Sequence, residues 1–306
     1  MPFDMEIEEY GEELKKMKST KKCLVTGGAG FVGTNLVKRL LKDKHDVIVF
    51  DNYSTGFREN QLDGCRYAYV DIREDFTNFS EKVDVIFHMA ALPRIGPSFT
   101  NPKEVCDVNV SGTQNVLEYA RHHNTPVVYA GSSSFWGGVY KNPYTFSKWQ
   151  GEELCKMYEM IYGLNVTICR FYNVYGDYMI NEGSYRTVLS ILLEQYRAGD
   201  SLTITGDGEQ RRDFTHVDDI VDAMVKVVKL NKWGSVYELG RGENHSINEV
   251  AEMFRFGNMP HDKPPLKYID PIPGETRNTL CKSELARKKL KWEPKINLKD
   301  WIKEQL

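Results

Sequence analysis

The sequence has no apolar run long enough to span a membrane or to form the core of a signal peptide. Its opening, MPFDMEIEEYGEELKKMKST, is acidic and then basic, and reads as a short amphipathic helix, an extension over 1–19 ahead of the domain proper. Nor is there an excess of positive charge: 40 Lys and Arg stand against 43 Asp and Glu, for a net charge of −3. Binding phosphate backbones needs a basic face, so nucleic acid is excluded as the main partner. The clusters KKMKSTKK and ARKKLKW are short, lie at opposite ends, and read as solvated surface. Six cysteines (23, 65, 106, 155, 169 and 281) form no CxxC pair and have no His at metal-ligand spacing. No metal site is expected, and a reducing cytoplasm fits best. Cys23 and Cys169 sit in apolar runs, as small core residues do. Repeats and low-complexity tracts are absent.

What is present, from Lys22 on, is an alternation of short apolar runs with amphipathic segments. KCLVTG, HDVIVFDN, RYAYVDIR, VDVIFHMAAL, PVVYAGSS and NVTICRFYNVYG read as strands. GFVGTNLVKRLLKDK, the stretch 101–124 and the stretch from Tyr144 to about Tyr162 read as helices. Apolar strands separated by helices imply a parallel sheet buried on both faces, with right-handed crossovers: a doubly wound (Rossmann) α/β domain. After about residue 173 the alternation lapses. GDYMINEGSYRT is loop-like, and a helix runs from about Val188 to Arg197. SLTITGDGEQRRDFTHV reads as strand, Gly-rich turn and strand, and prolines punctuate 260–273. A smaller C-terminal α/β domain is expected there.

VTGGAGFVG follows the first strand and opens the first helix. It fits Gly-x-Gly-x-x-Gly through Gly28, Gly30 and Gly33, and Gly-x-x-Gly-x-x-Gly from Gly27. Glycines there permit a tight turn and close backbone approach, so helix N–H groups can face a pyrophosphate. Asp51 ends the second strand, 18 residues after Gly33, where a carboxylate accepts from a ribose diol. No Arg follows it immediately to neutralise a 2′-phosphate, so NAD is favoured over NADP.

GSSSFWGGVYKNPYTFSK, residues 131–148, sets a hydroxyl, a phenol and an ammonium close together. Tyr144 and Lys148 are four apart on a helix and share a face. A free phenol, with a pKa of about 10, is a poor base near neutrality. An ammonium ~5 Å away at an effective dielectric of ~20 contributes roughly 3 kcal/mol. That would bring the phenol down by about 2 pH units, toward a working base.

TGGAGFVG, DNYSTG, VDIR, HMAAL, DVNVSGTQNVLE, SSSFWG, YTFSK, RFYNVYG, GDGEQRRDFTHVDDIVDA and PGETRNTL span residues 23 to about 295. Together they resemble the extended short-chain dehydrogenase/reductase family, the nucleotide-sugar epimerases and dehydratases. The resemblance implies bound NAD and a nucleotide-diphosphate sugar, probed first as a UDP-sugar. It implies that Ser132 hydrogen-bonds the reacting sugar hydroxyl, that Tyr144 is the base, and that Lys148 holds the nicotinamide ribose and lowers the Tyr144 pKa. Gly27, Gly30, Phe31, Val32, Asp51, Asn52, Ser54 and Gly56 fall in its cofactor-binding motifs. Asp71 and Ile72 match adenine contacts, Ala90 and Ala91 line the dinucleotide, and Asn109 sits near the nicotinamide end. Asn173, Arg212 and Arg277 match positions gripping the sugar-nucleotide diphosphate, where guanidinium groups fork onto phosphate oxygens. Thr279 aligns with a gate whose small size admits N-acetylated hexoses. Residues 20–172, with 214–241 returning, would form the NAD-binding domain, and 173–213 with 242–306 the nucleotide-sugar domain.

Dehydratases of this kind carry an acid pair after the catalytic hydroxyl, and decarboxylases keep a Glu at the second of those positions; here they are Ser133 and Ser134. A hydroxyl cannot replace a carboxylic acid in that role. C4 epimerisation needs only the Ser–Tyr–Lys set, with a firm grip on the diphosphate and a weak one on a sugar that must turn over. Only eleven residues separate Ser132 from Tyr144, a shorter loop than relatives have. Two alternatives stay open: another sugar-nucleotide reaction (4,6-dehydration, 3,5-epimerisation, decarboxylation or reduction of a GDP- or dTDP-sugar), and a non-catalytic NAD-binding regulator. The helices at about 104–122 and 144–162 would lie side by side, with Leu154, Met157 and Met160 toward a partner in a homodimer.

Overall fold

Five strands are so apolar that only a sheet covered on both faces can hold them: β1 (Lys22–Thr26), β2 (Asp46–Asp51), β4 (Val85–His88), β5 (Val127–Ser132) and β6 (Val166–Phe171), whose central side chains are almost fully buried. With β3 (Arg66–Tyr69) and β7 (Val236–Leu239) they form one parallel sheet in the order β7-β6-β5-β4-β1-β2-β3. The computed structural model describes residues 20–77, 79–255 and 264–306. The helix expected over 1–19, and part of the proline-rich stretch, lie outside the described residues. β3 departs from the expectation of double burial: it is an edge strand, and its Tyr69 is 71% exposed.

One face of the sheet is covered by α1 (Phe31–Lys42) and, from much later in the chain, Val217–Lys229; Leu36, Val37 and Leu40 share a core with Ile220, Val221 and Met224. After a short α2 (Ile95–Thr100), the other face carries α3 (102–123, with a π-helical stretch at Asp107–Gly112) and α4 (Pro143–Tyr162). Val116, Leu117, Cys155 and Tyr158 anchor that side. The α4 start is well specified: Pro143 opens it, and the Asn142 side chain accepts from Thr145 N–H at 2.8 Å. Of the residues expected to face a partner, Leu154 and Met157 are half-buried against this core, whereas Met160 is 84% exposed.

A second core gathers α5 (Val188–Ala198), the helices Ile247–Arg255 and Leu298–Gln305, and a parallel pair, Leu202–Thr205 with Leu266–Ile269. The strands expected on either side of a Gly-rich turn at 201–217 are Leu202–Thr205 and Arg211–Arg212, and they do not pair with each other. Gly206 and Gly208, both at positive φ, turn the chain onward, and Arg211–Arg212 pairs antiparallel with His245–Ser246 instead. Strand order reverses between β1 and β4, and a crevice opens at the carboxyl ends of those strands.

Candidate active site

The crevice, of about 690 Å³, runs from the glycine turn to the second core. Packing requires glycine at several positions along it. A Cβ at Gly33 would lie 2.0 Å from the Gly27 carbonyl oxygen, and Gly27 itself has φ 70° with the Ala90 backbone 2.7 Å from where its Cβ would be. At Gly30 a Cβ would meet only the Gly27 carbonyl, at 3.4 Å. The room that glycine leaves there belongs to the crevice. No side chain caps α1, so the N–H groups of its first turn are open to an anion.

Asp51, buried at the end of β2, accepts from the backbone N–H groups of Ala29 (2.9 Å) and Tyr53 (2.8 Å). Burial pushes its pKa up, and these two bonds work against that. A carboxylate has about four acceptor sites, so two remain for a ribose diol. Asp71 accepts from Asn52 at 3.0 Å, and its bond to Arg73 holds its pKa at about 2. Phe31, Val32, Ser54, Gly56, Ile72, Ala90 and Ala91 complete this half of the lining. The donors and acceptors fit a dinucleotide with a free ribose diol.

Ser132 arrives at the carboxyl end of β5, and Tyr144 and Lys148 come from successive turns of α4. The Tyr144 hydroxyl donates to Ser132 Oγ at 3.3 Å, and Ser132 donates to Ser134 Oγ at 2.9 Å. Lys148 is 5% exposed, with Nζ 4.3 Å from the centre of the Tyr129 ring. Burial lowers its pKa to about 8, opposed by Glu152. The expected depression of Tyr144 is absent. Among the described residues, Lys148 makes no hydrogen bond to it, and burial pushes the phenol up while Ser132 and Arg94 draw it down. Desolvation outweighs charge here, and only charge was visible beforehand.

Behind these groups lies a buried charge cluster. Arg170 forks onto Glu152 at 2.7–3.1 Å and reaches Glu238 at 3.3 Å. Its guanidinium stacks 3.8 Å from the Phe135 ring centre, and Trp136 Nε1 donates to Glu238 at 2.6 Å. The short loop after Ser132 is thereby tied to the sheet.

In the half of the crevice expected to take the sugar nucleotide, Asn173 donates to Thr279 Oγ1 at 3.0 Å, and both line the crevice. Arg212 lines it too, bound to Glu275 at 2.6 Å. Two expected site residues are placed elsewhere. Arg277 is 64% exposed outside the crevice, held there by a two-pronged pair with Asp207 at 2.7 and 2.8 Å. Asn109 lies beneath the lining, its amide spent on Leu92 backbone groups and Ser147 Oγ at 2.8–3.1 Å. Sequence reading missed Glu275 and Arg94, both in the lining. The one available signal was an arginine four residues past Ala90, close to the end of a parallel strand. Arg94 sits at φ 92°, a conformation costing about 1–3 kcal/mol for a residue other than glycine.

The sequence profile of the NAD dependent epimerase/dehydratase family matches residues 23–240. A Methanocaldococcus jannaschii protein assigned by name as a UDP-glucose 4-epimerase is 33% identical over 92% of this chain and 95% of its own length. Among solved structures, the Thermotoga maritima UDP-glucose 4-epimerase with UDP-glucose superposes with a TM-score of 0.86 at 28% identity, covering 92% of this chain and 96% of its own. The Bacillus cereus UDP-glucuronic acid 4-epimerase, in complex with UDP-glucuronic acid and NAD, gives a TM-score of 0.85 at 26% identity over 93% and 97%.

Proposed function

The chain belongs to the NAD-dependent epimerase/dehydratase family, and on that footing we propose that it inverts C4 of a UDP-hexose or UDP-N-acetylhexosamine by way of a 4-keto sugar. The observation that carries this reading is the Tyr144–Ser132 hydrogen bond at the end of β5, with only serines beside it. Of the carboxylates lining the crevice, Asp51 and Asp71 stand in the cofactor half and Glu275 is bound to Arg212. None is placed for the extra acid–base work of dehydration.

Bound NAD supplies the acceptor, and then the donor, of the C4 hydride. Ser132 holds the 4-hydroxyl against Tyr144, and Tyr144 takes the O4 proton and returns it. Ser132 and Arg94 oppose the cost of ionising the phenol, and Lys148 holds the cofactor ribose. Arg212 and Asn173 retain the diphosphate end while the sugar turns. Residues 20–172 and 214–241 serve the cofactor, and 173–213 with 242–306 serve the sugar nucleotide. No helix among the described residues is long and apolar enough to cross a membrane. The working context we infer is cytoplasmic, with no nucleic-acid or membrane partner. The assembly we infer is a homodimer through α3 and α4, where Met160, Ile161 and Tyr162 are exposed.

The test is to incubate the purified protein with UDP-N-acetylglucosamine or UDP-glucose and follow the anomeric protons by NMR. The C4 epimer is expected, without added cofactor if NAD is retained. No conversion of either sugar even with NAD supplied would sink the reading, and loss of the C6 carbon from a UDP-uronic acid would replace it with decarboxylation.

A further inference from the structure

Among the described residues, one arginine in the crevice has no neutralising partner. Arg186 is bound to Glu194 and Arg212 to Glu275. Arg94 forms no ion pair with any described carboxylate. Its Nε donates to the Tyr185 carbonyl at 3.0 Å, which fixes the guanidinium plane and leaves both terminal amino groups without an acceptor among the described residues. Burial pushes its pKa down, so its charge is held at a cost the fold does not offset. Its backbone is also strained, at φ 92° and ψ 136°, and such strain gathers at ligand clamps.

Its place in the crevice says what it would meet. Leu92, two residues before Arg94, is bonded to Asn109, Asn109 to Ser147, and Ser147 Oγ donates to the Tyr144 carbonyl, so Arg94 lines the crevice on the side of Tyr144, which marks the reacting carbon. The diphosphate end already has Arg212. An anion reaching Arg94 therefore comes from the sugar ring, close to C4. A planar fork with two free amino groups matches a carboxylate. No unpaired carboxylate lines this part of the crevice to compete for it or repel it.

We propose that Arg94 is a specificity-determining residue that receives a carboxylate borne by the sugar beside C4, so that acidic UDP-sugars are the preferred substrates. The carboxylate is either C6 of a hexuronic acid or an acid ether at C3. This rests on the epimerase reading of the site and adds the class of sugar; no bond to the carboxylate is made or broken.

The experiment uses NAD-loaded protein and measures two things for UDP-glucose, UDP-glucuronic acid and UDP-N-acetylmuramic acid: the Kd by titration calorimetry, and turnover by NMR. One of the acids should bind at least about tenfold more tightly than UDP-glucose, the lower end for hydrogen bonds to a charged group. Which acid wins separates the C6 from the C3 position. Arg94→Met should erase that preference, and Arg94→Lys, which keeps the charge but not the fork, should keep part of it. UDP-glucose binding as tightly as both acids to the wild type overturns the proposal, as does a preference that survives in Arg94→Met. If no sugar is turned over yet the preference holds, the epimerase reading fails and the role of Arg94 stands. Turnover of UDP-glucose with no preference for acids does the reverse.

Discussion

Lys148 is expected to weaken the fold it serves. The ammonium is 5% exposed, and burial takes its pKa from 10.5 to about 8. Between those values the unfolded chain binds more protons than the folded one, so stability rises with pH across that window, and below about pH 8 the full cost is present. A gap of about 2.5 pH units at 1.36 kcal/mol each is about 3 kcal/mol. The contact with the Tyr129 ring, 4.3 Å away, returns about 1 kcal/mol. Lys148→Met keeps the volume and leaves Glu152 paired with Arg170. In cofactor-free protein it should therefore raise stability by about 2 kcal/mol at pH 7, and by less than about 1 kcal/mol at pH 10. Urea unfolding followed by circular dichroism at the two pH values reads this directly. Turnover should fall at least about 100-fold, as it does when an acid–base device is dismantled. A variant less stable than wild type at pH 7, or one whose gain is the same at both pH values, would refute the reasoning.

Gly33→Ala, with its Cβ 2.0 Å from a backbone oxygen, should lower stability by about 3 kcal/mol or more. Gly30→Ala should leave the melting temperature nearly unchanged while weakening NAD binding more than about tenfold in a fluorescence titration. Arg170→Met strands Glu152 and Glu238 as buried charges and should cost about 3–5 kcal/mol in urea melts at pH 8. Thr279→Tyr should lower kcat/KM for UDP-N-acetylglucosamine relative to UDP-glucose by about tenfold or more, measured as a ratio of NMR rates.

Five of the six strands from Lys22 to Phe171 were legible because each is an apolar run bounded by turn residues, and the Tyr144–Lys148 face because four-residue spacing on a helix leaves little choice. What escaped depends on partners far along the chain. Arg277 carries the right chemistry for a diphosphate, yet Asp207, seventy residues earlier, holds it outside. Asn109 looked like a ligand contact and is spent on the Leu92 backbone, seventeen residues away. Neither the desolvation of Tyr144 nor the isolation of Arg94 has any local pattern. The first is a sum over everything packed nearby, and the second is the absence of a neighbour.

The far edge of the sheet also sets a clock. β7 begins 65 residues after β6 ends, from Phe171 to Val236. At a synthesis rate of about 5–20 residues per second, the outer row of β6 N–H and C=O groups waits about 3–13 s for its partner. A chain interrupted in that interval carries a bare parallel edge, ready to pair with another copy. Pausing between these two strands should govern how much newly made protein stays out of aggregates, independently of how stable the finished molecule is.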